Sequence, residues 1–78
     1  MAGNNDITVD ARGHRCPVPT LRLQRALQGA RPGQRVRLLA DDPLARIDVP
    51  HFLTSQGLAL LESNDDGATL SFVTAKAP

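Results

Sequence analysis

The sequence predicts an α/β fold, a two-layer sandwich of order β-α-β-α-β-β, with a mixed sheet and both helices on one face. Three observations predict it. A helical stripe (Pro19, Thr20, Leu23, Ala26, Leu27 and Ala30) lies between two stretches that alternate apolar and polar residues. A second helix-start pattern, Asp48-Val49-Pro50, follows the second of these stretches. The chain then ends on two strand-like segments joined by Asn64-Asp65-Asp66-Gly67, residues that favour a tight antiparallel hairpin. The 78 residues are enough for a single domain, 1–78, and leave it only a small core.

The first strand is Asp6–Asp10, with Ile7 and Val9 facing the core. The loop Ala11–Arg15 follows, where Gly13 is free to adopt backbone angles that other residues avoid. The first helix is expected over Pro17–Ala30, ended by Gly29 and Arg31-Pro32-Gly33. Its outer face carries Val18, Leu21, Arg22 and Arg25, two apolar side chains among arginines, and reads as a docking patch beside Cys16. In the second strand, Arg35–Ala40, Val36, Leu38 and Ala40 share a face. A helix between two strands implies that they pair in parallel. Asp41-Asp42-Pro43 breaks the second strand, and Leu44–Ile47 reads as a turn of helix that Pro50 interrupts. The second helix is expected to start at Asp48 as N-cap, bury Val49, Phe52 and Leu53, and stop at Gly57. Leu58–Ser63 and Ala68–Ala75 read as the last two strands, with Phe52 and Phe72 both in the core.

Charge is unevenly spread. Residues 11–40 hold seven arginines and no acid, whereas residues 41–78 hold six acids against Arg46 and Lys76. The basic third therefore suits an anionic partner surface or substrate, or simply solvates a helix and a strand. With only two aromatic residues for stacking, direct nucleic-acid binding is not expected. No stretch approaches the roughly 20 apolar residues of a membrane span, and Met1–Asp6 lacks the features of a leader, so no membrane association is expected. A lone unpaired cysteine suits a reducing, cytoplasmic location. Neither His14 nor His51 stands at metal-binding spacing from Cys16, so no metal and no cofactor are expected.

The single cysteine carries the chemistry. Cys16 lies at the start of the first helix, with Arg12, His14 and Arg15 within four residues. Both features favour a thiolate, so an exposed nucleophilic thiol with a lowered pKa is expected, with Cys16 as N-cap. Pro17 and Pro19 would mount the sulfur rigidly and leave few free N–H groups in the first turn. A disulfide reductase would need a second thiol, and a cysteine hydrolase would need an oxyanion site that so short a chain can hardly supply. What remains is a thiol that picks up a group and hands it on.

Three segments, Asp10-x-x-Gly13-x-x-Cys16-Pro17-x-Pro19, Ala40-Asp41-Asp42-Pro43 and Asp48-Val49-Pro50-x-Phe52, occur in that order. In this the sequence resembles the TusA/SirA family of small sulfur-carrier proteins, from about residue 6 to 75. The resemblance implies the same two-layer sandwich and a sulfurtransferase or carrier role. Cys16 would accept a sulfane sulfur as a persulfide, from a cysteine desulfurase or another persulfide donor, and relay it to an acceptor protein. By family position Asp10, Gly13, Pro17 and Pro19 shape the loop. In the family such relays feed tRNA thiolation, molybdenum cofactor assembly or sulfur oxidation. Some tRNA-thiolating members have an acid where Val18 stands, and some are basic where Gln24 and Gln28 stand, so the resemblance selects no route. A monomer is expected. The alternative is a non-catalytic regulatory or interaction module that uses the arginine-rich third.

Overall fold

The computed structural model describes residues 6–77. Met1–Asn5 and Pro78, the two ends of the expected domain, lie outside the described residues. The elements are β1 (Ile7–Asp10), α1 (Val18–Gln28), β2 (Arg35–Ala40), α2 (Ala45–Ser55), β3 (Glu62–Asp65) and β4 (Leu70–Ala75). The sheet order is β1-β2-β4-β3. β1 pairs with β2 in parallel, Val9 opposite Leu38, and β4 pairs antiparallel with both β2 and β3. The expected mixed sheet and β-α-β-α-β-β order are therefore present.

One face of the sheet makes the core. Val36, Leu38 and Ala40 of β2 are fully buried, joined by Val9 of β1 and Leu70 and Phe72 of β4. Each helix covers them with a row at four-residue spacing: Pro19, Leu23 and Leu27 from α1, and Ala45, Val49 and Leu53 from α2. That spacing returns side chains to one side of a helix, so both helices pack on the same sheet face. Phe72 is buried as expected, while Phe52 is half-buried against the core.

β1 begins at Ile7 rather than Asp6, and the boundaries of α1, α2, β3 and β4 also depart from expectation. α1 runs Val18–Gln28 rather than Pro17–Ala30. The cap position falls on Pro17, not Cys16, and no side chain caps it. The Cys16–Pro17 peptide is cis, and Val18 N–H bonds back to the Arg15 carbonyl at 2.9 Å.

α2 starts one turn earlier than expected, at Ala45, so Asp48 lies in its first turn and Pro50 in its interior. Asp42 explains the early start. Its carbonyl accepts from Ala45 N–H at 2.9 Å, and its carboxylate accepts from Leu44 N–H at 3.0 Å. Pro50 removes one backbone donor, but burial of Ala45 and Val49 outweighs that loss and the helix continues through it. Its other end follows expectation. Gly57, at φ +71°, sends its N–H to the Thr54 carbonyl, and Leu58 N–H reaches the Leu53 carbonyl at 2.9 Å. This is the paired closure that a left-handed residue allows.

β3 lies over Glu62–Asp65, not Leu58–Ser63. Leu58 is used to close α2, and the Ala59 carbonyl is taken by the Thr74 hydroxyl at 2.7 Å, so the strand forms later. The turn shifts with it. Asp66 Oδ1 accepts from Ala68 and Thr69 N–H, Gly67 N–H bonds to Asp65, and β4 begins at Leu70 instead of Ala68.

Candidate functional site

The loop between β1 and α1 crosses the ends of the two parallel strands, and the residues that follow β2 hold it there. Ala11, fully buried, extends the ladder through its N–H to the Leu39 carbonyl at 2.8 Å. Asp10 then turns outward. Its carboxylate takes a two-point bond from Arg12, Nε at 2.9 Å and Nη2 at 2.8 Å, and the Arg12 N–H at 3.1 Å. These bonds hold its pKa at about 2. The Asp10 carbonyl accepts from Arg22 Nη1 at 2.8 Å, which ties α1 to the strand end.

Gly13 takes φ +84°, which a side chain would strain. Its N–H points between the two carboxylate oxygens of Asp41, 3.0 Å from each. Cys16 N–H donates to Asp42 Oδ2 at 2.8 Å, and the other oxygen of that carboxylate holds Leu44. One side chain therefore joins the cysteine backbone to the start of α2. At the start of α1, the Pro17 carbonyl accepts from the Thr20 hydroxyl at 2.8 Å and from Leu21 N–H at 3.0 Å.

The surroundings of the sulfur differ from those the sequence suggests. Cys16 is half-buried and packs against the core. Arg12 is occupied by Asp10, and His14 and Arg15 are exposed. The charges that act on the thiol are those of two carboxylates, Asp48 in the first turn of α2 and Asp42. Burial first, then Asp48 and Asp42, push the Cys16 thiol up to about 11, not down as expected. The N–H groups of Cys16 and Val18 are both bonded, to Asp42 and to the Arg15 carbonyl.

Of the residues singled out from sequence, Asp10, Gly13, Pro17 and Pro19 lie in or beside this loop, Pro19 being buried at the second position of α1. Leu21 is 56% exposed, Arg22 and Arg25 are exposed, and Val18 is half-buried. Sequence reasoning missed Asp41, Asp42 and Asp48 as site residues. Both segments that hold them stood out, as a strand breaker, as a helix cap and as carriers of the family resemblance, but not as parts of the site. It also missed Leu44, 56% exposed, and Ile47, 69% exposed, at the start of α2. A shallow depression of about 240 Å³ is lined by Gly13, His14, Arg15, Asp41, Asp42 and Pro43.

The model of the family "Sulfurtransferase TusA" covers residues 7–76, nearly the whole described chain. The chain belongs to the TusA family. It is also similar to the crystal structure of a SirA-like protein from Desulfitobacterium hafniense, with 26% sequence identity and a TM-score of 0.79. That match covers 92% of this chain and 99% of the other. TusA-family proteins relay sulfur between proteins, and membership gives this chain a sulfur-carrier or sulfurtransferase role. Among the described residues, no helix is long and apolar enough to cross a membrane.

Proposed function

We propose that Cys16 is the carrier thiol: it takes a sulfane sulfur from a donor protein such as a cysteine desulfurase and passes it to an acceptor protein. The observation that carries this reading is the TusA-family match across residues 7–76, in a chain whose only cysteine is Cys16. In the loading step Cys16 Sγ bonds to the outer sulfur of the donor persulfide, and the donor's S–S bond breaks. The electron pair stays on the donor's inner sulfur, which receives the proton that Cys16 gives up. Sulfane sulfur changes hands, so no external oxidant or reductant is consumed. Delivery to the acceptor reverses these roles, and the routes open to the carrier are tRNA thiolation, molybdenum cofactor assembly and sulfur oxidation.

Asp10, Gly13, Pro17 and Pro19 shape the loop, with Asp41 and Asp42 clamping it from β2. A half-buried thiol set in a clamped loop reaches its partner without a large ordering cost. The reading is tested by intact-protein mass after incubation with a cysteine desulfurase and cysteine, without reductant. A gain of one sulfur atom, lost on reduction, is expected; no gain with several unrelated persulfide donors would sink the carrier reading.

The docking patch is Val18, Leu21, Arg22 and Arg25. An arginine rim steers an acidic partner and acts mainly on the rate of encounter. Arg25→Glu is expected to slow sulfur transfer from a donor protein by about tenfold at low salt, an effect that fades as salt is added. Alkylation of Cys16 by a small reagent should be unchanged. Native transfer rates would remove Arg25 from the patch. Arg22→Glu is the less clean version, because Arg22 also holds the Asp10 carbonyl.

A further inference from the structure

Both helices begin at the same end of the sheet. β1 and β2 are parallel, and each runs through a loop into its helix, so Cys16 and Leu44 follow neighbouring strand ends. One carboxylate joins their backbones: Asp42 Oδ2 accepts from Cys16 N–H at 2.8 Å and Oδ1 from Leu44 N–H at 3.0 Å. The chain is already helical at Leu44, φ −65° and ψ −20°, and Ile47 N–H bonds to the Leu44 carbonyl at 3.0 Å. Residues three apart share a side of a helix. Ala45, Val49 and Leu53 take the side that faces the core, so Leu44 and Ile47 fall on the outer side, each more than half exposed. Arg46, the cation between them, is paired with Asp65. Neither apolar side chain belongs to the core cluster among the described residues.

We infer that Leu44 and Ile47 are a docking contact for the sulfur-donor protein, seated in an apolar recess beside the donor's persulfide. This rests on the carrier reading and adds the chemistry by which the donor recognises this carrier. Size decides the occupant. The pair exposes about 200 Å² of apolar surface, against the roughly 1,200–2,000 Å² that a stable complex buries, so it is one part of a wider contact. Loading brings such a contact to this end of the molecule. A protein whose persulfide reaches Cys16 Sγ covers about 600–800 Å², a disc roughly 30 Å across. The domain measures only 31 × 27 × 18 Å, so a donor centred on Cys16 spans its whole end. That footprint takes in the residue tied to Cys16 through Asp42, and the turn of α2 that follows it. The two helices then play different parts. Arg22 and Arg25 of α1 speed the encounter, whereas burial of two uncharged, branched side chains from α2 slows departure.

The test is the rate of sulfur loading against carrier concentration, read by intact mass, in the double variant Leu44→Gln, Ile47→Gln. The donors are a cysteine desulfurase with cysteine, and glutathione persulfide, which hands over the same sulfur without a docking surface. Glutamine suits a helix and both positions are exposed, so the fold should hold. The double variant is expected to need about tenfold more carrier for half-maximal loading by the desulfurase, at an unchanged maximal rate. The effect should persist as salt is added, unlike that of Arg25→Glu. Loading by glutathione persulfide should match wild type, as should desulfurase loading of Leu61→Gln, an exposed leucine at the opposite edge of the sheet. If the double variant loses its circular-dichroism signature, Ile47→Gln alone, expected at roughly threefold, replaces it. Native half-saturation would overturn the inference, as would an equal loss with glutathione persulfide or in Leu61→Gln. A wild-type dimer that the double variant turns into a monomer would overturn it too, giving the pair to a second copy. Wild type loaded by glutathione persulfide but by no donor protein would defeat the docking contact and leave the carrier thiol standing. Loading by neither would defeat the carrier reading itself.

Discussion

Cys16→Ser is expected to carry no sulfur at all while folding as the wild type does. The loss is complete because no other cysteine exists in the chain to take over. A serine oxygen also cannot hold a sulfane sulfur in a persulfide bond. The fold should survive because what the loop needs from this position is its backbone. The Cys16 N–H bonds to Asp42 at 2.8 Å whatever side chain follows. Position 16 is only half-buried, so the serine hydroxyl stays within reach of solvent and no polar group is stranded. Stability should therefore stay within about 1 kcal/mol of wild type. Intact mass after incubation with a donor, together with a urea unfolding curve, checks both halves. Sulfur retained by the serine variant would move the carrier site off Cys16. Loss of the folded state would mean that the thiol is a core residue first, and the mass result would then say nothing about transfer.

The architecture was legible because it rests on periodicity, which is local. The four-residue row of Pro19, Leu23 and Leu27 and the alternation of Val36, Leu38 and Ala40 announce which faces are buried before any contact is known. Misplaced boundaries came from residues whose partners are distant or whose usual meaning was overridden. Pro50 reads as a helix-start signal, yet burial of Ala45 and Val49 on either side of a turn carries α2 through it. Leu58 reads as strand and instead closes a helix. The site shows the same divide more sharply. Arg12, His14 and Arg15 lie near Cys16 in sequence and suggest a cationic thiol environment. The fold turns Arg12 to Asp10 and brings Asp42 and Asp48 to the thiol from 26 and 32 positions further along. The sign of the local field was thus set by tertiary contacts. Linear neighbours could not reveal it.

Leu38→Ala should have the largest effect on stability, and the route by which it affects function differs from that of Cys16→Ser. Leu38 is fully buried at the centre of the sheet, opposite Val9 on one side and Phe72 on the other. Removing its side chain leaves a cavity that the flanking strands cannot close without breaking their pairing. The cost expected for such a site is about 2–5 kcal/mol. A domain of this size has a total stability on the order of 5–10 kcal/mol, so about a fifth or more of it would be lost. Function should suffer ahead of global unfolding. Both arms of the sulfur loop spring from the paired ends of β1 and β2, with Asp10 at one and Asp41 and Asp42 just past the other, and Leu38 anchors that pairing two residues before Ala40. Loosening it frees the clamp on Gly13 and Cys16 together, so the thiol should become more accessible to alkylation at urea concentrations where the helices are still formed. A urea titration followed by circular dichroism and by Cys16 alkylation in parallel tests this. Coincident transitions would show that the loop has no separate stability and opens only when the whole sheet does.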